Sequence, residues 1–263
     1  MTDTRLSING WAAMKRRGDK IACLTAYDAS FSALIDQAGI DVILVGDSLG
    51  MVVQGNGSTL TVTLDDMVYH TRCVIAGRRR AYVIADLPFM TYPDPISACH
   101  NAARLMQAGA EMVKLEGARI EVVRFLVDQG IPVCGHLGLL PQSINRLGGY
   151  KVQGVDPLEA DKMIVDAQKL QEAGANLLVL ECVPATLAAE ISTQLIIPVI
   201  GIGAGVDCDG QVLVLYDILN IGIDKRPRFS MNFLRSAGSI EQALIDYRMA
   251  VKECRFPTQE HSF

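Results

Sequence analysis

The chain has 263 residues, of which 50% are hydrophobic, and a formal net charge of −5. This negative charge argues against a nucleic-acid partner, because phosphate binding depends on clustered Lys and Arg side chains. No apolar stretch reaches the roughly 18 residues that a membrane span needs. We therefore expect no membrane partner, and we expect the apolar excess to form a core and the contacts of a homo-oligomer.

Seven cysteines are scattered along the chain without a C-x-x-C pair, and several lie within apolar runs. Such cysteines are typical of buried free thiols in a reducing compartment, not of disulfides or zinc ligands. Residues 1–10 show no basic-then-apolar secretion signal. Both observations predict a cytoplasmic protein.

Continuous apolar runs alternate with helical segments along the chain. Glycine ends four of these segments, and an apolar run follows at once, which is typical of a helix leading into a buried parallel strand. Asp94 and Pro95 are placed to start a helix over 95–108. The predicted strands cover residues 21–26, 42–46, 82–85, 112–115, 131–135, 177–180, 197–201 and 211–215.

Eight strands alternating with helices predict one (β/α)₈ TIM barrel domain over residues 1–263. The interval between 201 and 211 is too short for a full helix, so either a boundary is shifted or that connection is a loop. The long glycine-rich connections 49–63 and 138–157 are expected either to cover substrate or to form static surface or oligomer contacts.

Carboxylates stand at the ends of three consecutive predicted strands. In a parallel barrel these ends meet on one face, so Asp47, Asp86 and Glu116 are expected to be neighbours. Their mutual repulsion would be relieved by a divalent cation, and oxygen ligands favour Mg²⁺. The alternative is that each acid caps a helix or pairs with Lys114.

Three further residues are expected on the same face. Lys114 shares a strand face with Glu116 and can serve either as a cation near substrate oxygens or as a Schiff-base amine. His136 is expected to contact the substrate. Glu181 is expected to stand alone on the sixth strand, across the barrel from the acids, as a general base.

These strand ends and loops together resemble the ketopantoate hydroxymethyltransferase family, nearly end to end. The similarity is carried by TAYD at 25–28, VGDSLGM at 45–51, ADLPFM at 85–90, VKLEG at 113–117, PVCGHLGL at 132–139, GGYKVQG at 148–154, LECVP at 180–184 and IGIGAG at 200–205. Departures from the usual family residues are confined to Asn56-Gly57, Thr61 and Tyr216.

The resemblance implies a barrel of the phosphoenolpyruvate/pyruvate superfamily type, usually assembled as a decamer. The family transfers a hydroxymethyl group from 5,10-methylenetetrahydrofolate to 3-methyl-2-oxobutanoate, giving 2-dehydropantoate for pantothenate synthesis. It implies one Mg²⁺ per subunit, served by Asp47, Asp86 and Glu116, and Glu181 as the proton acceptor. The residues implied to contact the oxo acid are Asp47, Ser48, Asp86 and Lys114.

Two rival interpretations remain open. A sister metal-dependent lyase of the same superfamily would cleave or rearrange a pyruvate-type acid without folate. A non-catalytic barrel would use its acids only to cap helices. Folate-dependent product formation separates the first rival from the family interpretation, and metal binding separates the second.

Overall fold

The computed structural model describes residues 7–222 and 225–263, so the first six residues of the N-terminal segment lie outside it. Eight parallel strands close into a barrel in sequence order, which confirms the predicted fold. The strands are β1 Ile21–Thr25, β2 Val42–Val45, β3 Tyr82–Asp86, β4 Met112–Glu116, β5 Val133–Gly138, β6 Leu177–Glu181, β7 Val199–Ile202 and β8 Gly210–Leu213.

Helices follow most strands and pack outside the barrel. In the described part they are α1 Ile8–Arg17, α2 Ala29–Gln37, α3 Leu49–Val52, α4 Leu64–Gly77, α5 Pro95–Gln107, α6 Ile120–Asp128, α7 Ile144–Leu147, α8 Pro157–Glu172, α9 Ala185–Gln194, α10 Leu215–Leu219, α11 Leu234–Ala237 and α12 Ile240–Lys252. Short 3₁₀ turns cover Thr59–Thr61, Pro141–Ser143 and Gln259–His261. None of the described helices is long and apolar enough to span a bilayer.

The predicted helix starts and stops have a visible physical basis. Asp94 caps α5 by accepting hydrogen bonds from the backbone N–H groups of Ile96 and Ser97. Gly109 and Gly174 adopt the left-handed conformation after α5 and α8, where a side chain would be strained. Each apolar run that follows is buried on both faces, as parallel strands require.

The strand register brings polar residues side by side at the carboxyl ends. Asp86 lies opposite Lys114 across β3 and β4, and Glu116 lies opposite His136 across β4 and β5. The predicted boundaries placed the acids just after their strands, whereas Asp86, Glu116 and Glu181 are the last strand residues. The difference matters because a ladder residue is held more firmly than a loop residue.

The connection between β7 and β8 is a loop without a helix, one of the two outcomes expected from its length. Gly203 and Gly205 have positive φ angles of 61° and 83°. An added Cβ at Gly205 would stand 2.6 Å from the Cβ of Ala185. These glycines therefore permit a tight turn packed against its own chain.

Helix α1 closes the amino end of the barrel. Lys15 Nζ donates hydrogen bonds to the carbonyls of Ser192 and Ile197 at 2.8 and 2.9 Å. It also lies 2.8 Å from the Asp209 carboxylate, which precedes β8. At the same end Asp41 pairs with Lys252. Each of these two carboxylates thus has a lysine of its own.

Candidate active site

A cavity of about 640 Å³ opens at the carboxyl ends of the strands. Active sites of this barrel type lie at that face. The cavity is lined by every residue singled out from the sequence as a site residue: Asp47, Ser48, Asp86, Lys114, Glu116, His136 and Glu181.

Asp86 and Lys114 form a buried ion pair at the centre of this face. Their Oδ1 and Nζ atoms are 2.6 Å apart, and the side chains are only 3% and 7% exposed. Asp86 Oδ2 also accepts a hydrogen bond from the backbone N–H of Asp47 at 3.1 Å. The pair therefore joins β2, β3 and β4 at their carboxyl ends.

Lys114 is held in its charged form. Burial alone would lower its pKa, but the charges of Asp86, Asp47 and Glu116 outweigh burial and raise the pKa above its ordinary value. A lysine that forms a Schiff base needs a lowered pKa to act as a nucleophile. The electrostatics therefore favour the cation over the Schiff-base amine, the two roles left open by the sequence.

The surroundings of Asp47 and Glu116 disfavour their charged forms. Burial, followed by repulsion from Asp86, raises the pKa of Asp47 to about 7. Burial, followed by repulsion from Asp47, raises the pKa of Glu116 well above its ordinary value. Among the described residues, neither carboxylate is paired with a lysine or arginine.

Gln142 and Tyr92 join these two acids, and sequence reasoning missed both. Gln142 Nε2 donates to Asp47 Oδ2 at 2.8 Å, and its backbone N–H donates to Glu116 Oε2 at 3.1 Å. The Tyr92 hydroxyl bonds to Gln142 Oε1 and accepts from the backbone N–H of Glu116 at 3.3 Å. Both residues come from loops, where no periodic pattern marks a buried position.

The sequence predicts that Glu181 stands alone, and the structure corrects this prediction. Its Oε2 lies 3.2 Å from His136 Nε2, and His136 Nδ1 lies 3.8 Å from Glu116 Oε1. The reason is register: β6 is adjacent to β5, so Glu181 reaches the residue that faces Glu116. His136 therefore lies between the carboxylates of Glu116 and Glu181, so Glu181 is not isolated from the other site residues.

His136 is held as a neutral imidazole. It is 2% exposed, and burial lowers its pKa below the ordinary value. Among the described residues, neither ring nitrogen has a hydrogen-bond partner of good geometry, although Glu181 is close. A buried ring with unused nitrogens facing a cavity is suited to binding a polar atom of a ligand.

Ser48 lies at the same rim and is oriented by its neighbours. Its Oγ is 2.9 Å from the Tyr27 hydroxyl. A side chain at Gly46 would place a Cβ 2.7 Å from that Oγ. Glycine at this position therefore leaves room for Ser48 to turn toward the cavity.

A divalent cation fits the chemistry of these residues. Asp47 and Glu116 are crowded, buried and not neutralised by a base, which is the condition that such a cation relieves. Within residues 7–222 and 225–263, no three His, Cys, Asp or Glu side chains are grouped closely enough to enclose a metal by themselves. Any cation here would therefore need oxygen ligands beyond these side chains.

The side of the cavity near β8 has a different character. It is lined by Asp217, Phe229, Phe263, Lys225 and Arg228. Burial raises the pKa of Asp217 to about 6, and the charge of Arg226 opposes this rise. This side combines one carboxylate, aromatic surface and a basic rim, so it can bind a second, larger molecule.

The whole chain is similar to known proteins. Residues 5–259 match the family model described as ketopantoate hydroxymethyltransferase. A Methylobacillus flagellatus protein named 3-methyl-2-oxobutanoate hydroxymethyltransferase is 59% identical, with 95% of this chain and 97% of the relative covered. A relative of the same name from Idiomarina loihiensis is 56% identical, with 100% of both chains covered.

Solved structures resemble the fold at lower identity. A putative phosphonomutase from Burkholderia cenocepacia aligns with a TM-score of 0.64 at 14% identity, covering 81% of this chain and 94% of that one. A phosphonopyruvate hydrolase, solved with oxalate and Mg²⁺, aligns at 0.62 and 12% identity, covering 98% and 100%. The fold is therefore shared with barrels of the PEP mutase/isocitrate lyase superfamily. The match along nearly its whole length places this chain in the ketopantoate hydroxymethyltransferase family of enzymes.

Proposed function

We propose that this enzyme transfers a hydroxymethyl group from 5,10-methylenetetrahydrofolate to 3-methyl-2-oxobutanoate, giving 2-dehydropantoate for pantothenate biosynthesis. Family membership supports the reaction class. The observation that carries the mechanism is the surplus of buried negative charge opposite Lys114. That surplus suits a site that stabilises an oxo acid through a cation.

One Mg²⁺ per subunit is proposed at Asp47, Asp86 and Glu116, whose carboxylate oxygens are the kind of ligand that Mg²⁺ prefers. When bound, the ion supplies Lewis-acid stabilisation of negative charge on the carboxylate and keto oxygens of a 2-oxo acid. The raised pKa values of Asp47 and Glu116 support this assignment, because a cation favours their charged forms.

Glu181 is proposed to accept the proton from the carbon next to the ketone. The C–H bond breaks, its proton moves to a carboxylate oxygen of Glu181, and the electron pair delocalises onto the keto oxygen as an enolate. The enolate carbon then forms a C–C bond with the methylene carbon of the folate, both C–N bonds of that carbon break, and water supplies the hydroxyl oxygen. Tetrahydrofolate leaves, and its two nitrogens take one proton from Glu181 and one from the water. His136 Nε2 lies 3.2 Å from Glu181 Oε2, so the two side chains face the same part of the cavity.

Lys114 and Ser48 are proposed to bind the oxo acid together with Asp47, Asp86 and His136. Lys114 stays charged, so it attracts the substrate carboxylate or the developing enolate oxygen without forming a covalent adduct. Borohydride added with the oxo acid should therefore leave the protein unmodified. A trapped adduct on Lys114 would overturn this role.

The β8 side of the cavity is proposed to bind the folate. A five-carbon oxo acid fills only part of 640 Å³, so space remains for a second substrate. The pyrimidine edge of a pterin presents adjacent N–H donors, which a carboxylate such as Asp217 accepts as a pair. Lys225 and Arg228 at the mouth suit the carboxylates of the glutamate tail.

The assembly and the compartment are also proposals. Large exposed apolar side chains, including Tyr69, Phe89 and Met90, support burial of surface in a homo-oligomer, for which we propose the decamer of the family. Seven free cysteines suit the reducing cytoplasm. Mass photometry of the purified protein tests the decamer, and a monomer mass would refute it.

The first test is direct assay. The purified protein is incubated with 3-methyl-2-oxobutanoate, 5,10-methylenetetrahydrofolate and Mg²⁺, with and without EDTA, and hydroxymethylated product is measured. Product that depends on both metal and folate is the expected result. If the folded, metal-loaded protein forms none but converts a pyruvate-type acid without folate, the sister lyase replaces this proposal.

A further inference from the structure

Gln142 holds the two unneutralised acids of the site in a single hydrogen-bonded unit. It lies in the 3₁₀ turn Pro141–Ser143 and is 7% exposed. Its side-chain nitrogen donates to Asp47 Oδ2 at 2.8 Å and to the Leu87 carbonyl at 3.0 Å. Its backbone N–H donates to Glu116 Oε2 at 3.1 Å. One loop residue thus connects the ends of β2, β3 and β4.

The orientation of the Gln142 amide is determined by Tyr92. The Tyr92 oxygen already accepts the Glu116 backbone N–H, so its own proton is free to point at Gln142 Oε1. Gln142 then directs both hydrogens of Nε2 to acceptors, at Asp47 and Leu87. A flipped amide would set oxygen against oxygen at Asp47 and Leu87, so only this orientation satisfies all three contacts.

The contacts occupy one oxygen of each carboxylate and leave the other open. Gln142 binds Oδ2 of Asp47 and Oε2 of Glu116, so Oδ1 and Oε1 keep their lone pairs for another partner. A neutral amide also fixes the two carboxyl groups, but it adds no positive charge. A lysine in its place would neutralise one of them. A cation site requires carboxylates that are held in place and that no other positive group neutralises, and Gln142 provides both conditions.

We propose that Gln142 is a positioning residue for the divalent cation, oriented by Tyr92, and that it sets the cation affinity by fixing Asp47 and Glu116. This inference rests on the proposed function only in assuming that a cation binds there. Gln142 is not among the residues that line the cavity, and its contacts to the site are those to the two carboxylates. Outer partners of metal ligands typically contribute about 10- to 100-fold in metal affinity.

The test measures cation binding without catalysis. Mn²⁺ is titrated by electron paramagnetic resonance into the full-length protein, with 3-methyl-2-oxobutanoate present and no folate. We expect Gln142→Leu to raise the Mn²⁺ Kd about 10- to 100-fold. Tyr92→Phe should raise it less, and the double variant should bind as Gln142→Leu does, because Tyr92 acts through the amide.

Gln211→Leu is the matched control. Gln211 is also buried, at 3% exposure, but its amide donates to the Gly205 carbonyl and not to an acid. Its loss should lower the melting temperature and leave the Mn²⁺ Kd unchanged. If Gln142→Leu only lowers the melting temperature in the same way, the positioning role is wrong.

The remaining outcomes are also decisive. If Gln142→Leu does not fold, Tyr92→Phe decides: a Kd equal to wild type would overturn the inference. If wild type binds Mn²⁺ and both variants bind equally well, Gln142 has no positioning role, while the proposed function stands. If wild type binds no cation, the proposed metal chemistry fails, and this inference fails with it.

Discussion

The two ends of the barrel treat buried carboxylates in opposite ways. At the amino end, Asp209 is paired with Lys15, and Asp41 is paired with Lys252. At the carboxyl end, Asp86 is paired with Lys114, whereas the described hydrogen bonds to the carboxylates of Asp47 and Glu116 come from the neutral donor Gln142. The first arrangement lowers the energy of the folded state. The second leaves Asp47 and Glu116 without a lysine or arginine partner among the described residues, and their pKa values are raised.

The largest expected effect tests the carboxyl end. Glu181→Gln removes the proposed proton acceptor with little change in shape, so we expect kcat to fall about 10²- to 10⁴-fold. The free energy of unfolding should change little, because Glu181 has no described lysine or arginine partner. Steady-state assays and urea unfolding measure the two effects. A variant with near wild-type kcat would remove Glu181 from the mechanism.

The second prediction tests the amino end. Lys15→Met removes three hydrogen bonds and leaves Asp209 without its cation. We expect the free energy of unfolding to fall by about 2–4 kcal/mol, with kcat unchanged. Urea denaturation and assays at low temperature check this. A large loss of kcat in the folded variant would show that the two ends are not separable.

The third prediction concerns Asp217, whose raised pKa means that its charged form destabilises the folded state. Folding favours the protonated form of Asp217. Its contribution to the free energy of unfolding is therefore fully present below about pH 4 and is lost as pH rises through about 6. Asp217→Asn should therefore be about 1–2 kcal/mol more stable than wild type at pH 7.5, with the gap closing toward pH 4.

The same variant separates the two substrates. If Asp217 binds the pterin, the KM for folate should rise while the KM for the oxo acid stays constant. Unfolding from pH 4 to 7.5 and two-substrate kinetics measure both effects. Equal stability at every pH would contradict the burial argument, and an unchanged folate KM would remove Asp217 from the proposed folate site.

The smallest expected effect concerns an exposed ion pair on α8, away from both ends of the barrel. Lys162 and Asp166 form a pair one turn apart on α8, and the Lys162 side chain is 74% exposed. Lys162→Gln should cost only about 0.3–0.5 kcal/mol, less at high salt, because solvent screens the pair. Thermal unfolding at two salt concentrations measures it. A cost near that of Lys15→Met would mean that burial does not explain the contrast between the two ends.

The sequence predicts the barrel and its polar strand ends because both follow from short-range patterns. Continuous apolar runs mark strands such as β2 and β7, and polar residues at the carboxyl ends of the strands are expected at the cavity. Asp47, Asp86, Glu116 and Lys114 are found in this way.

Contacts that depend on packing are not visible in the same patterns. The proximity of Glu181 to His136 depends on the register between β5 and β6, which no single strand encodes. Gln142 and Tyr92 lie in loops, and their burial results from how the loops fold over the acids. Only the completed barrel brings such residues together.

Because Gln142 belongs to a loop, its position can change without a change in the barrel strands. Glu116 ends β4 and Asp47 closely follows β2, but the donor that contacts both belongs to the loop after β5. An insertion or deletion in that loop moves the donor without disturbing a single ladder. The segment between β5 and α8 can therefore be exchanged to vary the donor to Asp47 and Glu116 while the barrel is kept.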